Sequence, residues 1–210
     1  VVIQGSDGFA ATSGPLLATA LTANAITVKK TELVPAGTTD FSAIAADVKA
    51  NDPDIVAISA LAPEGVPLLQ ALRNAGYKKA IIGSNGLNSG AVIKGAGAAA
   101  NGLIVGTAWA SWNQTPANKT FMKNFKKAYK GTPDAFAATA YAYTYVLAAA
   151  AKNGKAATQD AMATQLAAIT GAKNVATLLG NFSFDANRNG ISPVLVQQVK
   201  GGKFGAFKTS

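Results

Sequence analysis

Apolar runs alternate with helical spacing through the first half of the chain, and residues 53–88 show this pattern most clearly. Residues 54–59 form an almost continuous apolar run, which is typical of a strand buried on both faces of a parallel sheet. A helix is predicted next, because apolar residues recur at helical spacing between Pro63, which suits a helix start, and Gly76, which suits a helix end. Residues 80–83 are the next apolar run, so the pattern predicts a right-handed strand–helix–strand crossover.

The same alternation continues on both sides of this unit. The other strands predicted in the first half are residues 1–4, 25–34 and 102–106. The other predicted helices are one that starts at Ser13–Pro15 after a turn over residues 5–10, one at 41–50 and a short one at 90–98. Strands and helices that alternate in this way predict an α/β fold with a doubly wound parallel sheet.

The second half of the chain has a different pattern. Residues 107–117 show no periodicity and are predicted to cross over to a second lobe. Three helices are predicted to follow without a strand between them, at 118–130, 134–152 and 158–169, with apolar stripes at Phe121, Phe125, Ala128 and Tyr129 and at Tyr141, Tyr145 and Ala148. Strands are predicted at 178–185 and 193–200 around a turn at 186–190, and the tail from 204 is either a last strand or frayed.

The turns that follow the predicted strands contain small and apolar residues with a few amide and hydroxyl groups. The carboxyl ends of parallel strands meet at one edge of an open α/β sheet, and this edge is where ligands bind. Apolar walls with few polar anchors are usual for a small-molecule cleft, although ordinary loops are the alternative. The predicted ligand-binding residues are Ser6, Asp7, Phe9, Leu61, Ala62, Asn85, Gly86 and Trp109.

The residue inventory excludes much of enzyme chemistry. The chain has 210 residues, of which none is cysteine or histidine, so thiol nucleophiles, disulfides, Cys/His zinc sites and imidazole triads are excluded. The carboxylates near predicted turns, Asp7, Glu64 and Asp134, share no local motif. We therefore predict no enzyme activity, no catalytic residue and no cofactor, although a small α/β enzyme stays an alternative from another class.

One acidic loop raises the question of a metal. Residues 185–190 match the first half of a calcium-binding loop, but Val196 stands where the bidentate glutamate is required. The flanking segments are predicted strands rather than helices. A polar hairpin turn is therefore favoured and no metal site is predicted.

The net charge of +9 lies entirely in the second half of the chain. Residues 1–110 hold seven basic and seven acidic residues, whereas residues 111–210 hold twelve and three. An anionic partner such as nucleic acid or a membrane surface is one explanation. A solvated basic helix face is the favoured explanation, because Lys119, Lys123, Lys126, Lys127 and Lys130 recur every three or four residues and no aromatic residues alternate with them.

Several segments carry a resemblance to a known family. ISALAPEGVPLLQALRNAGY (58–77) followed by IIGSNGLN (81–88) resembles the second lobe of periplasmic solute-binding proteins of the branched-chain amino-acid type, which serve ABC importers. Residues 37–54, 101–109, 116–150 and 182–204 resemble the same family, in the same order along the chain. The resemblance implies a type I periplasmic-binding fold that lacks most of its first lobe.

The resemblance also implies a domain organisation. Residues 1–108 would form the second-lobe sheet domain and 109–117 a crossover or hinge. Residues 118–188 would be helices and a strand of the incomplete first lobe, and 189–210 would return to the second lobe. Helices within 118–170 would then be covered by a first-lobe segment outside this chain or by self-association with another copy.

The function implied by the resemblance is that of the solute-binding component of an ABC importer. Such a protein would bind a small organic solute, amino-acid-like or a carboxylate or aromatic acid, in a cleft between lobes and deliver it to permease subunits. The implied location is the periplasm or, for a membrane-tethered lipoprotein, the cell exterior. The alternative is a ligand-sensing domain of a signalling receptor or regulator with the same fold.

Three positions depart from the pattern of the family's amino-acid binders. Phe9 and Leu61 stand where those binders have tyrosines, and Asn85 stands where an acidic group is expected to meet the ammonium of the ligand. Glu64 belongs to the Pro-Glu pair of the family at a helix start, where it is expected to cap the helix rather than contact ligand. A buried ammonium without an acidic partner is costly, so the resemblance implies a less cationic and more apolar solute.

Overall fold

The structure, a computed structural model, describes residues 1–154 and 158–208. The chain divides into two compact units according to its internal contacts. Unit 1 comprises Val1–Thr107 together with the residues from Val196 onward, and unit 2 comprises Ala108–Leu195. The chain therefore leaves unit 1 after Thr107 and re-enters it at Val196.

In the described residues the strands are β1 (Val2–Gly5), β2 (Thr31–Val34), β3 (Ile55–Ser59), β4 (Ala80–Gly83), β5 (Leu103–Thr107), β6 (Val175–Thr177), β7 (Gly180–Phe184), β8 (Gly190–Ile191), β9 (Leu195–Lys200) and β10 (Lys203–Ala206). The α-helices are α1 (Gly8–Ala23), α2 (Ser42–Asn51), α3 (Ala62–Asn74), α4 (Gly90–Ala96), α5 (Pro116–Tyr129), α6 (Ala135–Gly154) and α7 (Gln159–Ala167). Short 3₁₀ turns lie at Asn85–Leu87 and Gly97–Ala100. None of the helices in these residues is long and apolar enough to cross a membrane.

The sheet of unit 1 has, among the described residues, seven strands in the order β10-β9-β5-β4-β3-β1-β2. The pairs from β2 to β5 are parallel, with Val2 opposite Ala57 and Ile58 opposite Gly83, whereas β9 and β10 pair antiparallel. The predicted parallel α/β sheet is confirmed, and an antiparallel pair extends it into a mixed sheet.

The core of unit 1 lies on both faces of this sheet. Residues of β3 are fully buried from Val56 to Ser59, as expected for a central parallel strand. Side chains of α2 and α3, including Val48, Leu69 and Leu72, complete the main cluster.

Helix α3 ends as the sequence predicts. Gly76 has φ +90°, a left-handed conformation that glycine adopts without strain. Its N–H donates to Arg73 O, and the N–H of Tyr77 donates to Leu72 O, each over 3.0 Å, which is a Schellman cap. The Tyr77 ring then becomes buried, and its hydroxyl lies 3.1 Å from Pro53 O and 3.2 Å from Ala80 O.

The predicted start of α1 at Ser13–Pro15 is wrong. The helix begins at Gly8, because the Asp7 side chain accepts hydrogen bonds from the N–H groups of Phe9 and Ala10 and so caps the first turn. Pro15 consequently lies inside the helix. The predicted turn over residues 5–10 is shorter than expected for the same reason.

The predicted strand at 25–34 is also wrong over most of its length. Ordered pairing with β1 begins at Thr31. The chain before it is still completing the end of α1, since the N–H of Ile26 donates to Leu21 O and Ala25 has φ 59°.

Unit 2 contains α5, α6, α7 and, in its described residues, a small sheet with the order β6-β7-β8. The strand predicted at 178–185 is present as β7 (Gly180–Phe184), but it begins two residues later, because Leu178 and Leu179 form the turn of a hairpin between β6 and β7. Both leucines are buried in one hydrophobic cluster with Trp109 and Phe121. Because they are apolar, as buried strand residues usually are, the sequence pattern placed them in the strand.

The face that α6 buries within unit 2 differs from the predicted stripe. Ala138, Ala142, Val146 and Ala150 recur every four residues and are buried. Tyr145, which the predicted stripe contains, is 51% exposed and its hydroxyl lies 2.9 Å from that of Tyr141. The buried face of α6 is thus made mainly of small side chains, and the tyrosine rings lie at the border of this face.

Candidate functional site

The candidate site lies in unit 1 at the carboxyl ends of β1, β3 and β4. Strand β1 lies between β2 and β3, so the chain builds the sheet outward first on one side of β1 and then on the other. The chain order therefore reverses between β1 and β3, and this switch point is the position at which open α/β sheets bind ligands. Phe9 follows β1 and Leu61 follows β3.

The loop after β1 is held by Asp7. One carboxylate oxygen, Oδ1, lies 2.9 Å from Phe9 N and 3.0 Å from Ala10 N, so this oxygen has a structural use as the helix cap. Ser6 is exposed beside it. The cap fixes the first turn of α1 and with it the ring of Phe9, which is 40% exposed.

A buried hydroxyl pair connects this helix with β3. The Oγ of Ser59 lies 2.5 Å from the Oγ of Ser13 and donates to Ala10 O over 3.2 Å. Ser59 was not among the predicted site residues. Its position at the carboxyl end of an apolar run was the signal that could have identified it, because a polar residue there needs a partner.

The turn after β4 brings three of the predicted residues together. A Cβ atom placed on Gly86 would lie 2.3 Å from the carbonyl oxygen of Ala60, 2.9 Å from Phe9 Cε1 and 3.1 Å from Leu61 Cδ2. The backbone of Gly86 is therefore pressed against the end of β3, with the two apolar side chains beside it. Leu61 is 36% exposed, so Phe9 and Leu61 form a partly exposed apolar surface with Gly86 as its base.

Leu87 anchors this turn to α3. Its side chain is fully buried, and a Cβ on Gly65 would lie 2.2 Å from Leu87 Cδ2. Helix α3 thus needs glycine at this position for the turn to approach. Ala62, another predicted site residue, is half-buried against the core of unit 1 in the first turn of the same helix.

Asn85 and Asn88 form the polar side of the turn. Asn85 is exposed, and its Oδ1 accepts a hydrogen bond of 3.2 Å from Asn88 Nδ2. Asn88 is 4% exposed, donates to Thr107 Oγ1 over 2.7 Å and accepts from Gln197 Nε2 over 2.5 Å. Sequence reasoning missed Asn88 and Gln197; the alternation of β9, which places Gln197 on the same face as Val199, could have indicated a buried polar residue.

The carboxylates considered in the sequence are engaged with backbone groups. Glu64 lies in the first turn of α3, as predicted, and accepts a hydrogen bond of 3.4 Å from Gly37 N. Asp134 Oδ1 accepts from Ala137 N at the start of α6 over 2.8 Å. The side chains of the turn that contains Asn85 and Gly86 are neutral, so this turn supplies no acidic partner for a ligand ammonium.

Trp109 belongs to unit 2, unlike the other predicted site residues. It is 5% exposed, packs edge-on against Phe121 with 6.1 Å between ring centroids, and donates its indole N–H to Asn118 Oδ1 over 2.6 Å. These contacts give Trp109 a structural role in its own unit. A role in ligand binding stays a prediction.

The two features of the second half that could have suggested other chemistry have local explanations. Asp185 begins the hairpin between β7 and β8, where its Oδ2 accepts from the side-chain amide of Asn189 and its Oδ1 accepts from the backbone N–H groups of Asn189 and Asn187. These bonds, the one from the Asn189 side chain first, hold the pKa of the Asp185 carboxyl below its usual value. Within residues 1–154 and 158–208 no group of three or more acidic side chains could hold a metal ion. The five lysines predicted to form a basic face are exposed on α5 or just after it.

An open α/β sheet with apolar, small-residue turns at its switch point is typical of proteins that bind small ligands. The chain belongs to a periplasmic binding protein family, whose model matches residues 1–203. This is a family of binding proteins and not of enzymes, which agrees with the prediction made from the residue inventory.

Curated relatives include the Leu/Ile/Val-binding protein of Citrobacter freundii, 30% identical over 174 residues that cover 83% of this chain and 43% of that protein. The Leu/Ile/Val/Thr-binding protein of Salmonella typhimurium is 33% identical over 109 residues, or 52% of this chain and 30% of that protein. The chain thus spans less than half the length of these relatives.

Solved structures share the fold. A leucine-binding protein from Thermotoga maritima superposes with a TM-score of 0.86 at 23% identity, over 99% of this chain and 59% of that one. A solute-binding protein of an ABC transporter from R. palustris, in complex with benzoate, gives a TM-score of 0.83 at 21% identity, over 98% and 56%. The periplasmic-binding-protein-like α/β fold expected from the sequence is therefore confirmed.

Proposed function

We propose that the protein is the solute-binding component of an ABC importer and that it takes up a small apolar carboxylate, aromatic or aliphatic, at the switch point of unit 1. The observation that carries this proposal is the meeting of Phe9, Leu61 and Gly86 at the ends of β1, β3 and β4. In the proposed mechanism the solute is held in a cleft between two lobes and released to permease subunits in the periplasm, or outside the cell if the protein is a tethered lipoprotein.

The apolar surface supports an apolar solute body. A ring or branched chain placed over Phe9 and Leu61 would cover side chains that are 40% and 36% exposed. Covering apolar area contributes roughly 25 cal/mol per Å², and a planar ring gains further from stacking on phenylalanine.

The charges at the site support a solute without an ammonium group. The exposed polar group of the turn after β4 is the neutral amide of Asn85, and the negative charge of Asp7 is partly offset by the N-terminus of α1, which its Oδ1 caps. An unpaired ammonium in a closed cleft would lose its hydration without a compensating charge. A carboxylate needs hydrogen-bond donors instead, which the Asn85 amide and backbone N–H groups can supply.

The comparisons are compatible with either kind of solute. The curated relatives are named for branched-chain amino acids, and one structural neighbour, from Streptococcus pneumoniae, is in complex with isoleucine. The R. palustris neighbour is in complex with benzoate. The choice for this chain therefore depends on its own residues.

Calorimetric titration of the protein expressed at its full encoded length, with leucine and with benzoate, tests the proposal. We expect benzoate to bind and leucine to bind at least tenfold more weakly. Phe9→Ala should weaken benzoate binding at least tenfold. Leu16→Ala, an exposed residue of the same helix, is the matched control and should bind as the wild type does. Tight leucine binding would refute the solute class, and benzoate binding unaffected by Phe9→Ala would refute the site.

A further inference from the structure

Three side-chain amides form a continuous hydrogen-bonded chain in unit 1. Gln197 donates its Nε2–H to Asn88 Oδ1 over 2.5 Å, and Asn88 donates its Nδ2–H to Asn85 Oδ1 over 3.2 Å. Each amide donates to the next in the same direction. The chain ends at Asn85, whose side chain is exposed at the candidate site.

The buried end of this hydrogen-bonded network of amides is next in sequence to the two points at which the polypeptide leaves and re-enters unit 1. Thr107 is the last residue of unit 1 before the chain enters unit 2, and Val196 is the first after its return. Asn88 donates to Thr107 Oγ1 over 2.7 Å and is bonded to Gln197, one residue beyond Val196. One buried side chain therefore joins both passages to the turn that carries Asn85.

The contacts of Asn88 leave it little freedom. Both hydrogens of its amide nitrogen and its amide oxygen have partners, and its backbone N–H donates to Asn85 O over 3.0 Å. Asn88 is 4% exposed and Gln197 is 2% exposed. A buried amide that loses one partner leaves an unpaired polar group, so the network holds its members as a unit.

We propose that Asn88 is a positioning residue that orients the Asn85 amide to donate to an oxygen of the solute and couples that contact to the two passages between the units. This inference rests on the proposed function and names the group that meets the carboxylate end of the solute. Donation from Asn85 Nδ2 to a carboxylate polarises the Asn85 amide and strengthens the bond that its Oδ1 accepts from Asn88. The strengthened hydrogen bonds hold Thr107 and Gln197 in one arrangement. An occupied site therefore favours one conformation of the two segments that connect the units.

Two neutral substitutions interrupt the chain at different points. Asn88→Leu removes the central amide with little change of volume, and Gln197→Met removes the donor at the buried end, away from the solute. Asn74→Leu is the control, because Asn74 is an exposed asparagine of the same unit at the end of α3. Far-UV circular dichroism and thermal melting verify that each variant is folded, and Gln197→Met serves if Asn88→Leu does not fold.

The first measurement separates positioning from a general loss of structure. Benzoate and benzyl alcohol share a ring, but benzoate carries the carboxylate. We expect Asn88→Leu and Gln197→Met to weaken benzoate binding at least tenfold and benzyl alcohol binding less than threefold, and Asn74→Leu to change neither. Equal losses for both solutes, or no loss for benzoate, would overturn the inference.

The second measurement does not depend on a ligand. The 210 residues contain no cysteine, so Lys49→Cys in unit 1 and Lys127→Cys in unit 2 can carry spin labels at exposed positions. We expect the label-to-label distance distribution without ligand to be broader in the Asn88 and Gln197 variants than in the wild type or in Asn74→Leu. If the wild type bound neither solute, the proposed function would fail, whereas an unchanged distribution would overturn the role of Asn88 itself.

Discussion

The close approach of Gly86 to the end of β3 makes a specific prediction about Gly86→Ala. The new Cβ would lie 2.3 Å from Ala60 O, a backbone atom that cannot move without displacing the strand. The turn or the strand end must therefore shift by about 1 Å, and overpacking of this kind costs typically about 1–3 kcal/mol. The substitution also restricts the unfolded chain, which offsets about 0.4–1 kcal/mol. We expect a net loss of about 1–2 kcal/mol in the free energy of unfolding of unit 1.

Gly90→Ala is the matched control for this substitution. Gly90 is four residues away in the first turn of α4, and a Cβ there meets nothing within 4 Å. Alanine suits a helix better than glycine, so we expect Gly90→Ala to be neutral or to stabilise by up to about 1 kcal/mol.

Urea unfolding followed by far-UV circular dichroism measures the difference. With a denaturant slope of about 2 kcal/mol per M, Gly86→Ala should lower the unfolding midpoint by about 0.5–1 M and Gly90→Ala should not lower it. Because Gly86 has no positive φ, strain of the backbone cannot explain a loss. A midpoint for Gly86→Ala at or above that of Gly90→Ala would refute the close approach and with it the apolar surface inferred there.

Three further predictions concern unit 1. Burial raises the pKa of Tyr77 to about 12, so the neutral hydroxyl stabilises the fold below about pH 10, and this contribution is lost as the pH rises towards 12. The urea midpoint of the wild type should therefore fall over that range. The midpoint of Tyr77→Phe should fall less. Ser84→Ala should leave the midpoint unchanged or raise it, because the Ser84 hydroxyl is buried without a partner among the described residues; a loss above about 1 kcal/mol would show that the hydroxyl is bonded. Asp7→Ala should cost about 1 kcal/mol by removing the α1 cap, measured by thermal melting, whereas Asp7→Asn should retain most of that stability.

The sheet of unit 1 could be predicted from the sequence because its strands are buried on both faces. The run at 55–58 has no polar interruption, and Pro63 and Gly76 mark the two ends of the helix that follows it. In such segments the local pattern and the tertiary environment favour the same structure. The start of α1 could not be placed in this way, since Ser13–Pro15 is an equally good start signal and the cap at Asp7 depends on the loop after β1.

The sequence was sufficient to group three residues of the candidate site, but not to predict the polar contacts behind them. Phe9, Leu61 and Gly86 come from distant parts of the chain, and the strand order brings them together, so knowing the fold class was sufficient to group them. The contacts of Asn88 with Thr107 and Gln197 depend on which side chains point inward at the end of β5 and in β9, and a sequence does not determine that register. The buried face of α6 was predicted wrongly for the same reason, since the sequence did not determine that small residues rather than tyrosines face the core of unit 2.

The turn at 85–88 contributes both to the apolar surface and to the hydrogen-bonded amides. Gly86 forms the base of the apolar surface, and Asn88, two residues later, joins the turn to both passages between the units. Leu87 between them is fully buried, so we expect a displacement of the turn at one of these positions to be felt at the other. A change of solute preference made at Asn85 or Gly86 should therefore also alter how the passages are held, whereas a change made at Phe9 or Leu61 should alter affinity alone.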